Sequence, residues 1–439
     1  MFDPVEPLKQ PVTFPFSGRT AKNRFLKSAM SERLATFSTF DPSGRGQPTE
    51  ELVRLYETWA KGDIGIIVTG NIQIKKDHLE ATGRNTIIDR DLPSVYLQEW
   101  TEVARAAKSQ GSLVIGQLNH PGRQVSINIQ PYPEAPSDVE QPSTGDVLFG
   151  RPTPLTKDGI KDIVDRFTYA ASVLHRAGFD GVQLHAAHGY LLSQFLAKRT
   201  NMRTDEYGGS LVNRAHILLE IIAAIRRAVQ NPSFIISVKL NSQDSIPEGF
   251  CIEESIMVAK LLEIAGVDFI EVSGGAYEQT TRSSRDKVTL LYFTGSPELI
   301  PSDYKPYTVE TREGYFVEYA ELLRSHLNLS KVVATGGFRT SQGMANAVSQ
   351  GAADIIGLAR PLTAEPLLVR DILRGEKKTA KGDRFPESPM LRFVASAAQI
   401  AEIGNGQDIT DFDNAFHVAR FIAKMQKEIP AAISEALFL

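Results

Sequence analysis

A single cysteine, Cys251, stands in a chain of 439 residues. Internal disulfides, thiolate-held iron–sulfur clusters and all-cysteine zinc sites each need more than one, so all three are excluded. An excess of one charge is missing as well, with 48 Lys and Arg against 52 Asp and Glu, a formal charge of −4. So balanced a surface has no electrostatic drive toward nucleic acid or anionic lipid, and neither is expected as a partner. No apolar run reaches the ~18 residues that cross a bilayer. The opening Met1-Phe2-Asp3-Pro4-Val5-Glu6-Pro7 lacks the basic and apolar regions of a signal peptide. The expectation is a reduced, soluble, cytoplasmic protein. No strand-like run is followed by G-x-G-x-x-G, which leaves the usual dinucleotide-binding domain without support.

What the chain does have is alternation. Short β-branched runs fall at 24–30, 64–74, 112–119, 179–185, 234–241, 268–274, 331–337 and 354–360. Amphipathic stretches lie between them at 50–60, 157–177, 213–229, 253–265 and 315–327. A faint echo accompanies the alternation: Gly178-Phe179-Asp180, Gly266-Val267-Asp268 and Gly351-Ala352-Ala353-Asp354 each join a helix end to a strand. Eight such units in about 350 residues predict an α/β fold, a (β/α)8 barrel, over a doubly wound sheet. The barrel is assigned to residues 1–377, including a long loop at about 278–311 of the kind that shapes a site. A C-terminal helical extension takes 378–439, with Phe416, Val418, Phe421, Ile422 and Met425 as the apolar face of one helix. That helix is expected either to pack on the barrel or to join subunits of a homo-oligomer.

In such a barrel the C-terminal ends of the strands form the active face. The fourth strand ends in His185-Ala186-Ala187-His188-Gly189-Tyr190, two imidazoles and a phenol with small residues between them. Neutral imidazoles can donate to a carbonyl oxygen, and tyrosine can give a proton to a forming carbanion. A zinc reading of His-x-x-His lacks a further ligand nearby in sequence, and no metal is expected. The seventh and eighth strands end in Thr335-Gly336-Gly337 and Ala359-Arg360, where barrels commonly hold phosphate on bare backbone amides. Gln117 and Lys239 are polar residues within apolar strand runs. A buried lysine needs an electron-rich ligand or a carboxylate; a Schiff-base lysine is its other use.

These stretches resemble the Old Yellow Enzyme family of flavin oxidoreductases. The likeness is carried by Asn23-Arg24-Phe25-Leu26-Lys27-Ser28-Ala29-Met30, by Ile115-Gly116-Gln117-Leu118-Asn119-His120-Pro121-Gly122-Arg123 and by the run from Ala177 through His185–Tyr190 to Arg203-Thr204-Asp205-Glu206-Tyr207-Gly208-Gly209-Ser210. It spans roughly residues 10–375. The resemblance implies a non-covalent FMN across the barrel mouth, reduced by NADPH or NADH. It places Ala29, Met30, Ser31 and Gly70 beside the isoalloxazine, Gln117 at the pyrimidine edge and Lys239 next to N1 and O2. Gly336, Gly337, Ala359 and Arg360 would hold the phosphate. His185 and His188 would bind the substrate oxygen, and Tyr190 would be the proton donor. Where the family usually has Thr or Cys, this chain has Ser31. The implied reaction is ping-pong reduction of an enone, enal or nitroalkene by hydride transfer through flavin N5. Two rivals remain at this stage: a flavin-free Schiff-base lyase using Lys239, and a barrel that binds flavin or another ligand without turnover. The single cysteine restricts the resemblance to the short, cluster-free branch.

Overall fold

A computed structural model describes residues 3–428 apart from 39, 144–146, 245–248, 275–313, 315 and 387–388. The long loop at 278–311 therefore lies outside the described residues. Eight parallel strands close into a barrel: β1 (Phe25–Lys27), β2 (Ile66–Gln73), β3 (Leu113–Asn119), β4 (Gly181–Ala186), β5 (Ile235–Asn241), β6 (Phe269–Ser273), β7 (Lys331–Thr335) and β8 (Ile355–Leu358). Each of the eight falls within or beside a β-branched run of the sequence. Crossover helices surround them: α1 (Glu50–Ala60), α2 (Leu97–Lys108), α3 (Lys157–Arg176), α4 (Leu211–Val229), α5 (Ile252–Ile264), α6 (Val317–Ser325), α7 (Ser341–Ser349) and α8 (Leu368–Leu373).

Strand side chains alternate between two environments, as the pleat requires. Phe25, Ile67, Val114, Val182, Ile236, Ile270, Val332 and Ile356 point out and join the core beneath the helices. Leu26, Ile66, Val68, Leu113, Ile115, Ile235, Phe269, Val333 and Ile355 point in and form a separate apolar plug. An antiparallel hairpin, Val12–Thr13 with Thr20–Ala21, caps the lower end of that plug. It inserts Phe14, whose ring lies 5.3 Å from that of Phe269. One strand step above the plug the inward residues turn polar, which leaves the upper mouth as the reactive end.

The Gly-to-Asp echo now has a cause. Gly178, Gly266 and Gly351 adopt φ of +89°, +80° and +77° and close α3, α5 and α7 in the left-handed region. The aspartate that follows grips the preceding strand at two points. Asp180 donates its N–H to Val114 O and accepts the Val114 N–H on Oδ2 at 2.9 Å. Asp268 does the same to Ile236, and Asp354 to Val332, at 3.2 and 2.9 Å. These carboxylates satisfy strand amides at the base of the barrel and so fix register.

Beyond α8 lie α9 (Pro389–Gly404) and α10 (Ala415–Glu428). The first, not foreseen in the sequence, packs against α1, where Arg54 donates to Gly404 O at 2.6 Å. Phe385, Leu391, Ala395, Phe412 and Val418 form a small core that Phe421 and Ile422 join. The expected apolar face of α10 needs one correction: Phe416 is 70% exposed. Residues 418, 421, 422 and 425 share one helical face, and a residue two before 418 lies on the other side.

Asp180→Ala should strand the Val114 amide and the Lys108 ammonium 2.9 Å from it. The expected loss is about 1–3 kcal/mol in denaturant unfolding, with cofactor uptake unchanged at temperatures where the protein stays folded.

Candidate active site

The polar layer above the plug is built in register. Gln117 on β3 pairs with Gln183 on β4, His185 on β4 with Lys239 on β5, and Lys239 with Glu271 on β6. Neighbours in register share a face, so these side chains meet inside the barrel. Gln117 Nε2 donates to Gln183 Oε1 at 2.7 Å, and Gln183 Nε2 donates to Glu271 Oε2 at 2.9 Å. Lys239 Nζ lies 3.0 Å from Glu271 Oε1 and 3.2 Å from Ser28 Oγ. Thr335 Oγ1, at the end of β7, donates to the same carboxylate at 2.9 Å. Burial alone would raise the pKa of Glu271, but Lys239 and these donors leave it lowered.

The two histidines and the tyrosine come together as the sequence predicts. The His185 ring lies edge-on to His188 at 5.0 Å and to Tyr190 at 4.9 Å. Hydrogen bonding assigns the tautomers. Ala187 N–H points to His185 Nδ1 at 3.3 Å, so the His185 proton sits on Nε2, facing His188 Nδ1 at 3.3 Å. His188 therefore carries its proton on Nε2, 2.7 Å from Ser273 Oγ. Burial, then the Lys239 charge, push His188 down to about 3; burial, His188 and Lys239 push His185 well below the usual value. Both are neutral donors at pH 7. His188 also has φ +59°, a left-handed backbone that directs the loop into Gly189 and Tyr190.

Tyr190 has a partner the sequence did not disclose. Its hydroxyl donates to Glu80 Oε2 at 2.8 Å, and Asn71 Nδ2 donates to the same oxygen at 2.7 Å. Ser31 Oγ reaches Asn71 Oδ1 at 3.4 Å, so Ser31 and Tyr190 are joined through two side chains. Glu80 lies in a loop without periodicity, where no sequence signal marks it. Glu271 could have been found: a carboxylate inside Phe269-Ile270-Glu271-Val272 is as anomalous as Lys239, and Gln183 shares its strand face with His185.

The other expected residues frame the mouth. Ala29 and Met30 are partly buried just past β1. Gly70 lies at a register shift of β2 and donates its N–H to Glu32 Oε1 at 2.6 Å. A Cβ there would collide with Met30 O and the Glu32 carboxylate. Gly336 and Gly337, past β7, have φ of +105° and +82°, which bares the backbone at that corner. Ala359 is half-buried past β8, and exposed Arg360 caps the short helix Pro361–Ala364. Behind β1, Lys27 is buried with Nζ 4.3 Å from the Trp59 ring centroid, and burial lowers its pKa to about 8.

His78, His120 and Glu134 also cluster, with ligand-type atoms within 4.8 Å of one another. Their lone pairs are largely committed: Glu134 N–H donates to His78 Nε2, and Gly122 N–H to His120 Nδ1, each at 3.0 Å. Lys75 pairs with the Glu134 carboxylate, while burial lowers His120 to about 4. The arrangement braces the loops after β2 and β3.

Neutral buried histidines carry a stability consequence. An unfolded histidine takes a proton below about pH 6.5, which the folded His188 resists, so stability is complete above that pH and falls below it. The expected slope is about 1.4 kcal/mol per pH unit for one such group. His188→Asn keeps a residue that tolerates the left-handed backbone. Melting temperatures between pH 7 and 4.5 should fall less steeply in the variant; parallel curves would contradict the assignment.

Residues 7–295 match the NADH:flavin oxidoreductase / NADH oxidase family. The NADH-dependent flavin oxidoreductase nadA of Aspergillus parasiticus is 41% identical over 406 residues, 91% of this chain and 86% of that one. The NADPH dehydrogenase of Bacillus subtilis is 30% identical over 358 residues, 80% of this chain and 90% of that one. Among solved structures, the old yellow enzyme homologue of Zymomonas mobilis superposes with a TM-score of 0.65 at 24% identity, covering 87% of this chain and 97% of that one. A 2-naphthoyl-CoA reductase superposes with a TM-score of 0.73 at 23% identity over 91% of this chain. The chain spans only 58% of that larger protein, and at these identities both structures speak for the fold alone. The sequence matches go further: the chain belongs to the NADH:flavin oxidoreductase / NADH oxidase family, the Old Yellow Enzyme family, as an FMN flavoprotein oxidoreductase with NADH or NADPH as donor.

Proposed function

We propose that this flavoprotein reduces the activated C=C bond of an α,β-unsaturated carbonyl or nitro compound, with NAD(P)H and substrate taking turns in one pocket. The observation that carries this reading is Tyr190 at the barrel mouth, 4.9 Å ring to ring from His185, which in turn meets His188 at 5.0 Å. The donor set suits FMN. Gln117 keeps one carbonyl oxygen and one N–H beyond its bond to Gln183, which matches a ring edge of alternating N–H and C=O groups. Lys239 brings positive charge to the same level, where reduced flavin gathers negative charge. Gly336, Gly337, Ala359 and Arg360 stand at the β7–β8 corner, the common phosphate position of this fold. Ala29, Met30, Ser31 and Gly70 would border the ring from β1 and β2. When bound, FMN supplies two-electron hydride transfer from the nicotinamide and to the substrate.

The chain's own residues do the rest. His185 and His188 exchange the bonds they make to His188 Nδ1 and Ser273 Oγ for bonds from the same N–H groups to a substrate carbonyl or nitro oxygen; being neutral, they stabilise growing negative charge there without releasing a proton. Tyr190 gives its hydroxyl proton to the α-carbon. Glu80, itself held by Asn71, keeps that hydroxyl in place. The Schiff-base alternative is disfavoured because Lys239 Nζ is held in an ion pair with Glu271 and donates to Ser28, and an ion-paired ammonium is not a nucleophile. A binder without turnover would not need a proton donor beside two neutral imidazoles.

Tyr190→Phe should lower enone reduction roughly 10²- to 10⁴-fold, while anaerobic bleaching of the flavin by NADH or NADPH stays near wild type. Equal loss in both half-reactions would contradict the assigned role. Arg360→Ala should weaken FMN retention on gel filtration; unchanged flavin occupancy would remove Arg360 from the phosphate site.

A further inference from the structure

The polar layer inside the barrel has one hub, and it is not a residue to which the proposed reaction gives a part. Glu271 is fully buried and takes donors from four strands or strand ends besides its own. Oε1 receives Lys239, Thr335 and Ser28; Oε2 receives Gln183. An ionised carboxylate only accepts. Gln183 must therefore turn its NH2 toward Glu271, and its carbonyl oxygen toward Gln117. Gln117 must then answer with its own NH2, at 2.7 Å. The polarity of the Gln117 amide is thus dictated two side chains away, by a group that cannot donate. The same carboxylate sits 3.0 Å from Lys239 and offsets the charge of that ammonium.

We propose that Glu271 is a positioning residue for the flavin. It fixes which face of the Gln117 amide meets the pyrimidine edge, and it cancels much of the Lys239 charge felt there. The inference rests on the reading that Gln117 and Lys239 border that edge. Its consequence is electrostatic. Reduced flavin carries more negative charge than oxidised flavin, so an unopposed lysine would favour the reduced form more than the observed ion pair does. Glu271 therefore holds the flavin potential down and keeps the cofactor a better reductant toward its acceptor. Fixed amide polarity raises the affinity for oxidised FMN, because a flipped Gln117 would oppose donor to donor.

The test uses FMN-loaded protein and reads the flavin rather than turnover. In Glu271→Gln the midpoint potential should rise, with reduced flavin favoured over oxidised by about tenfold, about 30 mV for a two-electron couple. Glu271→Asp, which keeps an acceptor-only charge, should return most of the shift. Lys239→Met should move the potential the opposite way. If Lys239→Met lowers the potential while Glu271→Gln leaves it unchanged or lowers it, the inference is overturned and the flavin placement stands. If Lys239→Met changes nothing, the placement itself fails. Where Glu271→Gln does not fold, Gln183→Leu decides. It cuts Gln117 from Glu271 but keeps the ion pair, and should weaken oxidised FMN binding about tenfold by fluorescence titration; an unchanged dissociation constant would overturn the proposal.

Discussion

A charge taken out of water must be met by another charge and by hydrogen bonds, or it costs several kcal/mol. In this barrel Lys239 is met by Glu271, and around that pair the upper interior is arranged. Ser28, Gln183 and Thr335 complete the carboxylate, Gln183 orients Gln117, and the Lys239 charge helps hold both histidines neutral. One ion pair thus links β1, β3, β4, β5, β6 and β7 at the level where a ligand enters. Below it, an apolar plug is capped by Phe14 and its hairpin.

The eight strands were legible because a parallel strand buried on both faces reads as a β-branched run, and because a glycine and an aspartate mark the helix-to-strand joins. Asp180, Asp268 and Asp354 show why that mark repeats: each supplies both an N–H and a carboxylate to the strand before it. His185, His188 and Tyr190 were legible because three polar residues cluster at one predicted strand end, and Lys239 because it interrupts an apolar run. The resemblance to a flavoprotein family then supplied roles that spacing alone could not.

Other features depend on distance through space. Glu80 joins Tyr190 across 110 residues, and Glu271 joins Ser28 across 243. Neither pairing leaves a periodic trace in the chain. Lys27 is buried against Tyr56 and Trp59 and is as unusual as Lys239, but it stands close to Arg24 and Ser28, so no long apolar run marks it as buried. Phe416 is apolar yet exposed, because position 416 lies on the side of the helix away from 418. The first C-terminal helix, α9, leaves a weak periodic trace because alanines at 395, 397, 398 and 401 blur the contrast between its faces.

Placement of the flavin is the claim on which the chemistry turns, and diffraction from crystals of the FMN-loaded protein tests it most directly. The account predicts the pyrimidine edge within hydrogen-bond reach of Lys239 Nζ and Gln117, the ring beneath His185 and His188, and the phosphate at the corner of Gly336, Gly337 and Arg360. An isoalloxazine lying away from Lys239, or a phosphate held by other strands, would contradict it.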